Sequence, residues 1–349
     1  MSHHKISING EEIMPGESRV MMLPMPKLYN WTPMNMPVHV IRGKEPGPTL
    51  CVTAAIHGDE VNGVEIIRRL LQQKILKKLR GSLIAAPILN IYGFLNQDRY
   101  LMDRRDLNRS FPGSTRGSLA GRLANLIMKD LVADSTHLID LHTGSLHRSN
   151  LPQIRANLAK KEVRRLAKAF NAPVMLHSKE RDGSFRQAVN DLKMPCLLYE
   201  AGEALRLDEL SIRLGLKGIL NVMVELDMLP EKVKFTPRVA PVFARDSMWV
   251  RAHHSGIMRV YKGLGAHVRK GDRLAIIANP VGGEKHHVLS PVDGLVIGRN
   301  NLPLTHDGAA LFHIASFERL QHAQKKIEYM QSVNQETLLN NALYQGDMT

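Results

Sequence analysis

The sequence contains few cysteines and few aromatic residues, which argues against a disulfide-stabilised protein and against a nucleic-acid-binding protein. Only 2 of the 349 residues are cysteine, Cys51 and Cys196, and both lie in apolar, strand-like runs. Two such thiols suit a reducing compartment better than a disulfide framework, so we expect a cytoplasmic protein. Phe, Trp and Tyr together make up 5% of the sequence, which leaves few platforms on which nucleic-acid bases would stack.

Long apolar runs are also missing. No window approaches the roughly 18 uninterrupted apolar residues that a membrane-spanning helix needs. The first residues, MSHHKISINGEEIMPGE, lack the apolar core of a secretory signal. We therefore expect neither a membrane partner nor a leader peptide.

Acidic residues are outnumbered, and the formal charge is +14 with a pI near 9.8. A basic surface indicates either affinity for phosphate backbones or attraction of acidic small molecules. The basic residues are spread along the chain, as in RRLLQQKILKKLR, where they follow the solvated face of a predicted helix. No motif of the nucleic-acid-binding classes accompanies them. We therefore expect a small-molecule substrate and no specific nucleic-acid partner.

Strand-like and helix-like segments alternate through the first two thirds of the sequence. Apolar runs predict two strands within 36–56, and helical spacing from Val61 to Leu79 predicts a helix. Residues 90–115 have no periodicity and predict a long, arginine-rich loop. The alternation continues to a helix predicted at about 207–226. It predicts an α/β fold, with a mixed sheet covered by helices on both faces.

The pattern changes at a basic, proline-bearing linker, LPEKVKFTPRVAP (229–241). Beyond it, short strands alternate with glycine turns. We therefore predict an α/β domain at 1–230, a small all-β, barrel-sandwich-like domain at 231–316 and a helical tail at 317–349.

Two stretches of the predicted β domain, 254–278 and 289–315, form an approximate repeat. Such a repeat predicts a small pseudo-symmetric sandwich, and it resembles the biotinyl/lipoyl-type barrel-sandwich hybrid. No lysine occupies the hairpin VDG (292–294), where an attached cofactor would sit. A swinging-arm role is therefore not expected.

Three side chains have the chemistry and the placement of metal ligands. TAAIHGDEVNG (53–63) ends a strand with His57 and presents Glu60 three residues later, and His142 ends a second apolar strand, HLIDLH. Functional sites of open α/β sheets gather at the carboxyl ends of the strands, where these side chains would meet. Two histidines, one carboxylate and an open fourth position are typical of a catalytic zinc site.

Each of these fragments also has an ordinary structural interpretation. A glutamate in the first turn of a helix interacts favourably with the helix dipole, which would explain Glu60. His142 alone is compatible with a buried, hydrogen-bonded histidine of the core. The metal-site hypothesis therefore depends on further residues that fit the same chemistry.

A third fragment, RRDLNRSFPG (104–113), places three useful side chains close together. Asp106 is suited to accept the remaining N–H of a ligating histidine. Asn108 and Arg109 would form a clamp for a carboxylate, since arginine binds carboxylates bidentately. The alternative is a surface turn before a helix.

Glu200 ends a buried apolar strand in PCLLYEAGE, a position that suits a general base. Downstream of His142, the segment GSLHRSNLPQIRANL adds Arg148 and Arg155. Together with Arg109 they predict an electropositive rim, which favours an acidic substrate.

The motifs HGDE, DLNRSFPG, DLHTG and YEAGE together resemble the succinylglutamate desuccinylase/aspartoacylase family, a branch of the zinc carboxypeptidase-like hydrolases. They occur in the family order, and the resemblance spans about residues 36–228. It implies that 1–230 is a zinc-dependent hydrolase domain with one Zn²⁺ per chain. The zinc ligands implied are His57, Glu60 and His142, and Glu200 is the implied general base.

The resemblance also implies how the substrate is held. Asn108 and Arg109 would bind its carboxylate, and an upstream arginine would polarise the scissile carbonyl, a role for which Arg99, Arg104 and Arg105 compete. The predicted substrate-binding set is Asn108, Arg109, Arg104 and Arg148.

The predicted reaction is zinc-dependent hydrolysis of the amide bond of an N-acylated, acidic amino acid, which releases a carboxylic acid and a free amine. Two alternatives stay open at this point. One is a zinc carboxypeptidase that acts on peptide C-termini, and the other is a non-catalytic polyanion-binding protein. The sequence is compatible with a homo-oligomer but does not define one.

Overall fold

The structure is a computed structural model that describes residues 6–231, 241–317 and 328. Most of the predicted linker at 229–241 and nearly all of the predicted helical tail at 317–349 lie outside the described residues. The described helices are α1 Asn62–Leu71, α2 Ile91–Asn96, α3 Leu119–Ile127, α4 Lys161–Phe170, α5 Phe185–Asp191 and α6 Glu209–Glu225. Shorter helical turns are the 3₁₀ segments Lys74–Lys78 and Leu107–Arg109 and the π segment Met128–Val132.

The strands of the α/β part are β1 Ser7–Ile8, β2 Glu11–Glu12, β3 Ser18–Met25, β4 Met34–Arg42, β5 Thr49–Ala54, β6 Ser82–Ala86, β7 His137–Gly144, β8 Arg148–Ala156, β9 Val174–His177 and β10 Cys196–Glu203. The strands that follow are β11 Val242–Arg251, β12 Gly256–Val260, β13 His267–Val268, β14 Arg273–Ala278, β15 Lys285–Leu289, β16 Gly294–Asn300, β17 Leu304–Thr305 and β18 Ala310–Phe317.

One twelve-stranded mixed sheet runs through the molecule, in the order β13-β16-β18-β11-β9-β8-β10-β7-β5-β6-β4-β3. Its centre is parallel, because β5 pairs in parallel with both β6 and β7, and β7 pairs in parallel with β10. Antiparallel strands β4 and β8 flank this centre. The predicted mixed α/β fold is therefore confirmed.

The central strands are buried on both faces, as their continuous apolar sequences predict. All six residues of β5 are buried, and Leu50 and Val52 pack in a core with residues of α1, α4 and α6. Cys51 points to the opposite face and packs in a second core with residues of α3 and α5. The similarity to the zinc carboxypeptidase fold itself stays a prediction.

Local structure differs from the sequence prediction at several places. The helix predicted from Val61 ends at Leu71, and a 3₁₀ segment follows. The predicted long loop at 90–115 contains α2, because the side chain of Asn90 caps it by accepting from the backbone N–H of Gly93. The pattern also misses four strands, namely β1 and β2, which pair with each other, β3 at the edge of the large sheet and β8 beside β10.

The described residues 241–317 contain strands and no helix. Strands β12, β14, β15 and β17 form a separate four-stranded sheet, whereas β11, β13, β16 and β18 extend the large sheet. The two sheets share one apolar core that includes Leu274 and Phe312. The predicted repeat 254–278 contains β12, β13 and β14, and the repeat 289–315 contains β16, β17 and most of β18. The short strand of each repeat pairs with the first strand of the other repeat, β13 with β16 and β17 with β12.

The large sheet crosses the domain boundary predicted at 230/231. Strand β11 pairs in parallel with β9, and β16 pairs with β8, so that Gly298 is the register partner of Asn150. The division into domains stays a prediction, but these pairings place β11, β16 and β18 beside the strands that carry Glu200 and its neighbours. Within the described part of the chain, no helix has both the length and the apolar character needed to cross a bilayer.

Candidate metal centre and active site

The three predicted metal ligands lie together in a buried cluster. His57, Glu60 and His142 expose only 3%, 1% and 6% of their surfaces, and one ligand atom from each lies within 4.8 Å of the others. Glu60 Oε1 is 2.7 Å from His57 Nδ1, and Glu60 Oε2 is 2.8 Å from His142 Nδ1. Both imidazoles thus present Nδ1 to the same carboxylate.

Tight turns at two glycines allow this convergence. Gly58 follows His57, and a Cβ atom there would lie 2.0 Å from the backbone carbon of Gly93, so the loop can approach α2 only with glycine. Gly144 closes β7 after His142, where a Cβ atom would lie 2.1 Å from the carbonyl oxygen of Arg148. Both turns therefore require glycine, because any larger residue would clash with the neighbouring backbone.

Two aspartates hold the far nitrogens of the two histidines. His57 Nε2 is 3.2 Å from Asp106 Oδ1, the contact that the sequence predicted for Asp106. His142 Nε2 is 2.8 Å from Asp140 Oδ2, and Thr53 Oγ1 donates to the other oxygen of Asp140. Such carboxylate partners fix the tautomer and orientation of ligating histidines.

Asp140 is a site residue that the sequence prediction omitted. It precedes His142 by two positions on β7, and alternate residues of a strand point to the same face. The spacing Asp-Leu-His in a strand could therefore have identified it.

The charges of this cluster fit a divalent cation. Three buried or partly buried carboxylates, Glu60, Asp106 and Asp140, surround the two imidazoles, and Arg99 supplies one positive charge. Burial raises the pKa of Glu60, but the protonated forms of His57 and His142 outweigh burial and hold that pKa well below its usual range. Burial lowers the pKa of each imidazole, but the neighbouring carboxylates outweigh it and raise both values. A cation bound at the two Nδ1 atoms would replace their protons and leave both imidazoles neutral. The set then has three negative charges against one positive charge, and two histidines with a carboxylate suit Zn²⁺.

Of the three candidate carbonyl-polarising arginines, the structure brings only Arg99 to the cleft. Arg99 Nη2 donates to Asp106 Oδ2 at 2.9 Å, and Nη1 lies 3.6 Å from Glu60 Oε1. Arg104 and Arg105 are exposed and do not line the cleft. Arg104 instead forms a turn with a left-handed backbone, φ 58°, so the structure does not place this predicted substrate-binding residue at the site.

Asn108 and Arg109 both line the cleft. Asp106 orients this turn by accepting from the backbone N–H of Asn108 at 2.9 Å. Asn108 Oδ1 accepts from the N–H of Phe185 at 2.9 Å, which leaves its amide NH₂ group as the end available to donate. Arg109 is exposed, and the clamp role of the two residues stays a prediction.

Glu200 lies on the strand next to His142 and lines the same cleft. Its Oε1 accepts a hydrogen bond from Asn150 Nδ2, and its Oε2 lies 2.9 Å from Arg155 Nε in an ion pair. Both partners belong to β8, the antiparallel neighbour of β10. Side chains of β8 therefore contact both oxygens of a carboxylate that lines the cleft.

The cleft has a volume of about 720 Å³, and the C-terminal strands form one of its walls. This wall consists of Ser247, Trp249 and Arg251 of β11 with Ala310 and His313 of β18. Arg148, predicted to bind substrate, lines the cleft with its guanidinium carbon 5.7 Å from the centre of the Trp249 ring. Sequence patterns gave no signal for this wall, because it depends on pairing between strands distant in the chain.

Comparison with known proteins agrees with these observations. Residues 46–226 match the family model described as the succinylglutamate desuccinylase/aspartoacylase catalytic domain. N-alpha-acetyl-L-2,4-diaminobutyric acid deacetylase from Halomonas elongata is 28% identical over 255 residues, which cover 70% of this chain and 74% of that protein.

Solved structures have the same fold. The product-bound ectoine utilization protein EutE (DoeB) from Ruegeria pomeroyi matches with a TM-score of 0.80 and 25% identity, over 90% of this chain and 99% of that one. A succinylglutamate desuccinylase/aspartoacylase from Rhodobacter sphaeroides matches with a TM-score of 0.78 and 23% identity, over 86% and 95% of the two chains. The family match covers more than half of the chain, which therefore belongs to the succinylglutamate desuccinylase/aspartoacylase family.

Proposed function

We propose that this protein is a zinc-dependent hydrolase that cleaves the amide bond of an N-acylated, acidic amino acid and releases a carboxylic acid and a free amine. The observation that carries the proposal is the convergence of His57, Glu60 and His142 beside Glu200 in one cleft. The relative from Halomonas elongata is named as a deacetylase of an N-acetylated amino acid, which supports the reaction class.

His57, Glu60 and His142 would hold the zinc ion through two Nδ1 atoms and a carboxylate. Bound there, zinc would polarise the acyl carbonyl and lower the pKa of a water molecule. Asp106 and Asp140 keep the protons of both imidazoles on Nε2, so that each Nδ1 lone pair is free to bind the metal.

Glu200 moves the proton. Its carboxylate accepts a proton from the attacking water and passes it to the nitrogen of the leaving amine. Asn150 holds Oε1 by a hydrogen bond, and the positive charge of Arg155 lies beside Oε2 while this happens. Arg99, held by Asp106, is the cation beside the ligands that can stabilise negative charge developing on the carbonyl oxygen.

The charge of the cleft favours an acidic substrate. Seven arginines and Lys179 line it, against the three carboxylates Glu60, Asp140 and Glu200. Among the described residues, no carboxylate lies within 4 Å of the cationic groups of five of these arginines, namely Arg109, Arg148, Arg181, Arg186 and Arg251. Asn108 and Arg109 would bind the α-carboxylate of the substrate. The positive charge of the other arginines in this group would attract a second carboxylate, that of the substrate's side chain.

The same charge argues against a basic side chain. The diaminobutyrate in the name of the Halomonas elongata relative carries a side-chain amine, which the arginines of the cleft would repel when it is protonated. We therefore propose a substrate that differs from the one that this relative's name gives.

A panel of amides tests the proposal. The purified, zinc-loaded protein would be assayed for amine release from N-acyl aspartate, N-acyl glutamate, N-acetyl-2,4-diaminobutyrate and unmodified dipeptides. We expect the N-acyl acidic amino acids to have the highest kcat/KM. Faster cleavage of dipeptides would establish the carboxypeptidase alternative, and no amine release from any compound would refute the hydrolase.

A further inference from the structure

We propose that His313, on the C-terminal strand β18, is a positioning residue that orients the general base Glu200 through Arg155. The inference rests on the proposed function of Glu200. Arg155 connects the two residues, because its Nη2 lies 3.4 Å from His313 Nδ1 and its Nε lies 2.9 Å from Glu200 Oε2. A residue of the C-terminal β segment is thereby linked to the proposed chemistry.

The contacts define one tautomer of His313. A guanidinium only donates, so His313 Nδ1 must be the unprotonated acceptor and Nε2 must carry the proton. Nε2 then donates to Ser247 Oγ at 2.9 Å. Burial and, after it, the positive charge of Arg155 lower the pKa of His313 to about 3, so the imidazole stays neutral at physiological pH.

Neighbouring strands hold the imidazole ring from both sides. Trp249 is the register partner of His313 on β11, and the two rings stack with centroids 4.8 Å apart and planes 8° apart. Gly298 is the partner on β16, where a Cβ atom would lie 3.0 Å from His313 Cβ and 2.7 Å from Asn150 Oδ1. The ring therefore sits in a slot that β11 and β16 form.

This arrangement gives Arg155 a fixed acceptor. An arginine side chain has several rotatable bonds and five N–H donors, so an ion pair with one carboxylate leaves it several orientations. The Nδ1 atom of His313 selects one of them, with Nε toward Glu200. Since small displacements of a catalytic group can cost about 100-fold in rate, loss of this acceptor should affect kcat more than KM.

Two substitutions of His313 separate the acceptor from the packing. His313→Phe keeps a flat ring against Trp249 but removes the acceptor, and we expect kcat to fall about 10- to 100-fold with KM and zinc content little changed. His313→Asn retains an amide oxygen near the position of Nδ1 and should restore most of the lost kcat. The matched control is Phe312→Leu, on the opposite face of the same strand, which should lower Tm without lowering kcat.

Arg155→Met provides the decisive comparison. If His313 acts through Arg155, adding His313→Phe to Arg155→Met should lower kcat no further. Full additivity of the two losses, an unchanged kcat in His313→Phe, or an equal loss of kcat in Phe312→Leu would each overturn the proposal.

A spectroscopic measurement distinguishes failure of this inference from failure of the proposed function. In wild-type protein with ¹⁵N-labelled histidine, NMR at neutral pH should show a neutral His313 with its proton on Nε2. A protonated Nδ1 would contradict the geometry even in an active enzyme. The expected tautomer in a protein that hydrolyses no amide would instead refute the hydrolase proposal and leave the contact between His313 and Arg155 in place.

Discussion

Glu200 and His142 are register partners on the neighbouring parallel strands β10 and β7. Side chains at partner positions of adjacent strands point to the same side of a sheet, about 5 Å apart at their backbones. The proposed base is thus fixed beside a proposed metal ligand by backbone pairing within the buried centre of the sheet. The proximity of Glu200 and His142 therefore depends on strand pairing and little on loop conformation.

Removing the charge of Glu200 should abolish turnover and spare the metal. Glu200→Gln keeps the size of the side chain but cannot accept a proton, and we expect kcat to fall by about 10²- to 10⁴-fold. Steady-state kinetics and elemental analysis measure the two effects. Glu203→Gln, further along the same strand and outside the cleft, is the matched control and should keep kcat near that of wild type. Full activity in Glu200→Gln would remove Glu200 from the role of base.

Asp140 should matter for metal affinity although it is not a predicted ligand. Asp140→Asn weakens the contact that fixes His142 Nε2, and loss of such a partner typically costs about 10- to 100-fold in metal affinity. Competition with a chromogenic chelator measures the dissociation constant. Asp130→Asn, at an aspartate that accepts from the N–H of Asn9 far from the cluster, should leave the constant unchanged. Equal affinity in all three proteins would show that Asp140 has no such role.

Arg109 should discriminate between charged and uncharged substrates. A hydrogen bond to a charged group contributes about 1.5–3 kcal/mol, so Arg109→Ala should lower kcat/KM about 10- to 100-fold for a substrate with a free α-carboxylate. The corresponding α-carboxamide should be affected much less. Arg104→Ala, which changes an exposed arginine outside the cleft, should affect neither substrate. An equal loss on both substrates would make Arg109 structural.

Acid should destabilise the wild-type protein through His313. The pKa of His313 is lowered from 6.5 to about 3 in the folded state, because the ring is buried and lies near Arg155. Between pH 6.5 and about pH 3 the unfolded state therefore binds a proton at His313 and the folded state does not. The free energy of unfolding falls as the pH decreases through this range. Between about pH 7 and pH 5 this group should cost about 2 kcal/mol.

Urea unfolding at the two pH values measures the direction and the size of this change in the free energy of unfolding. His313→Asn has no titrating group at this position, so its free energy of unfolding should fall by about 2 kcal/mol less than that of wild type between about pH 7 and pH 5. Parallel pH dependences of the two proteins would contradict the assignment of a neutral, buried His313.

The sequence was sufficient to bring together those candidate site residues that strong local patterns mark. His57 follows the buried strand β5, and His142 and Glu200 lie near the carboxyl ends of β7 and β10, so strand patterns alone indicate the edge of the sheet where all three meet. Asp106 followed from its place in a polar turn whose other side chains suit a substrate clamp. In each case the residue lies close in the chain to the apolar strand or polar turn that indicates its role.

Residues that depend on long-range pairing could not be predicted in this way. Asn150 and Arg155 reach Glu200 only because β8 pairs antiparallel with β10, and β8 itself was missed as a strand. His313 and Trp249 reach the cleft only because the C-terminal strands extend the large sheet. The choice of Arg99 over Arg104 depends on a left-handed turn residue, which sequence spacing does not reveal.

The metal content of the protein tests the central claim most directly. Elemental analysis would compare the wild type with His142→Ala and with His137→Ala, which changes a histidine at the far end of the same strand. We predict about one zinc per chain in the wild type and in His137→Ala, and little in His142→Ala, with all three folded by circular dichroism. A well-folded wild type that binds no divalent metal, or a His142→Ala variant that retains it fully, would contradict the account.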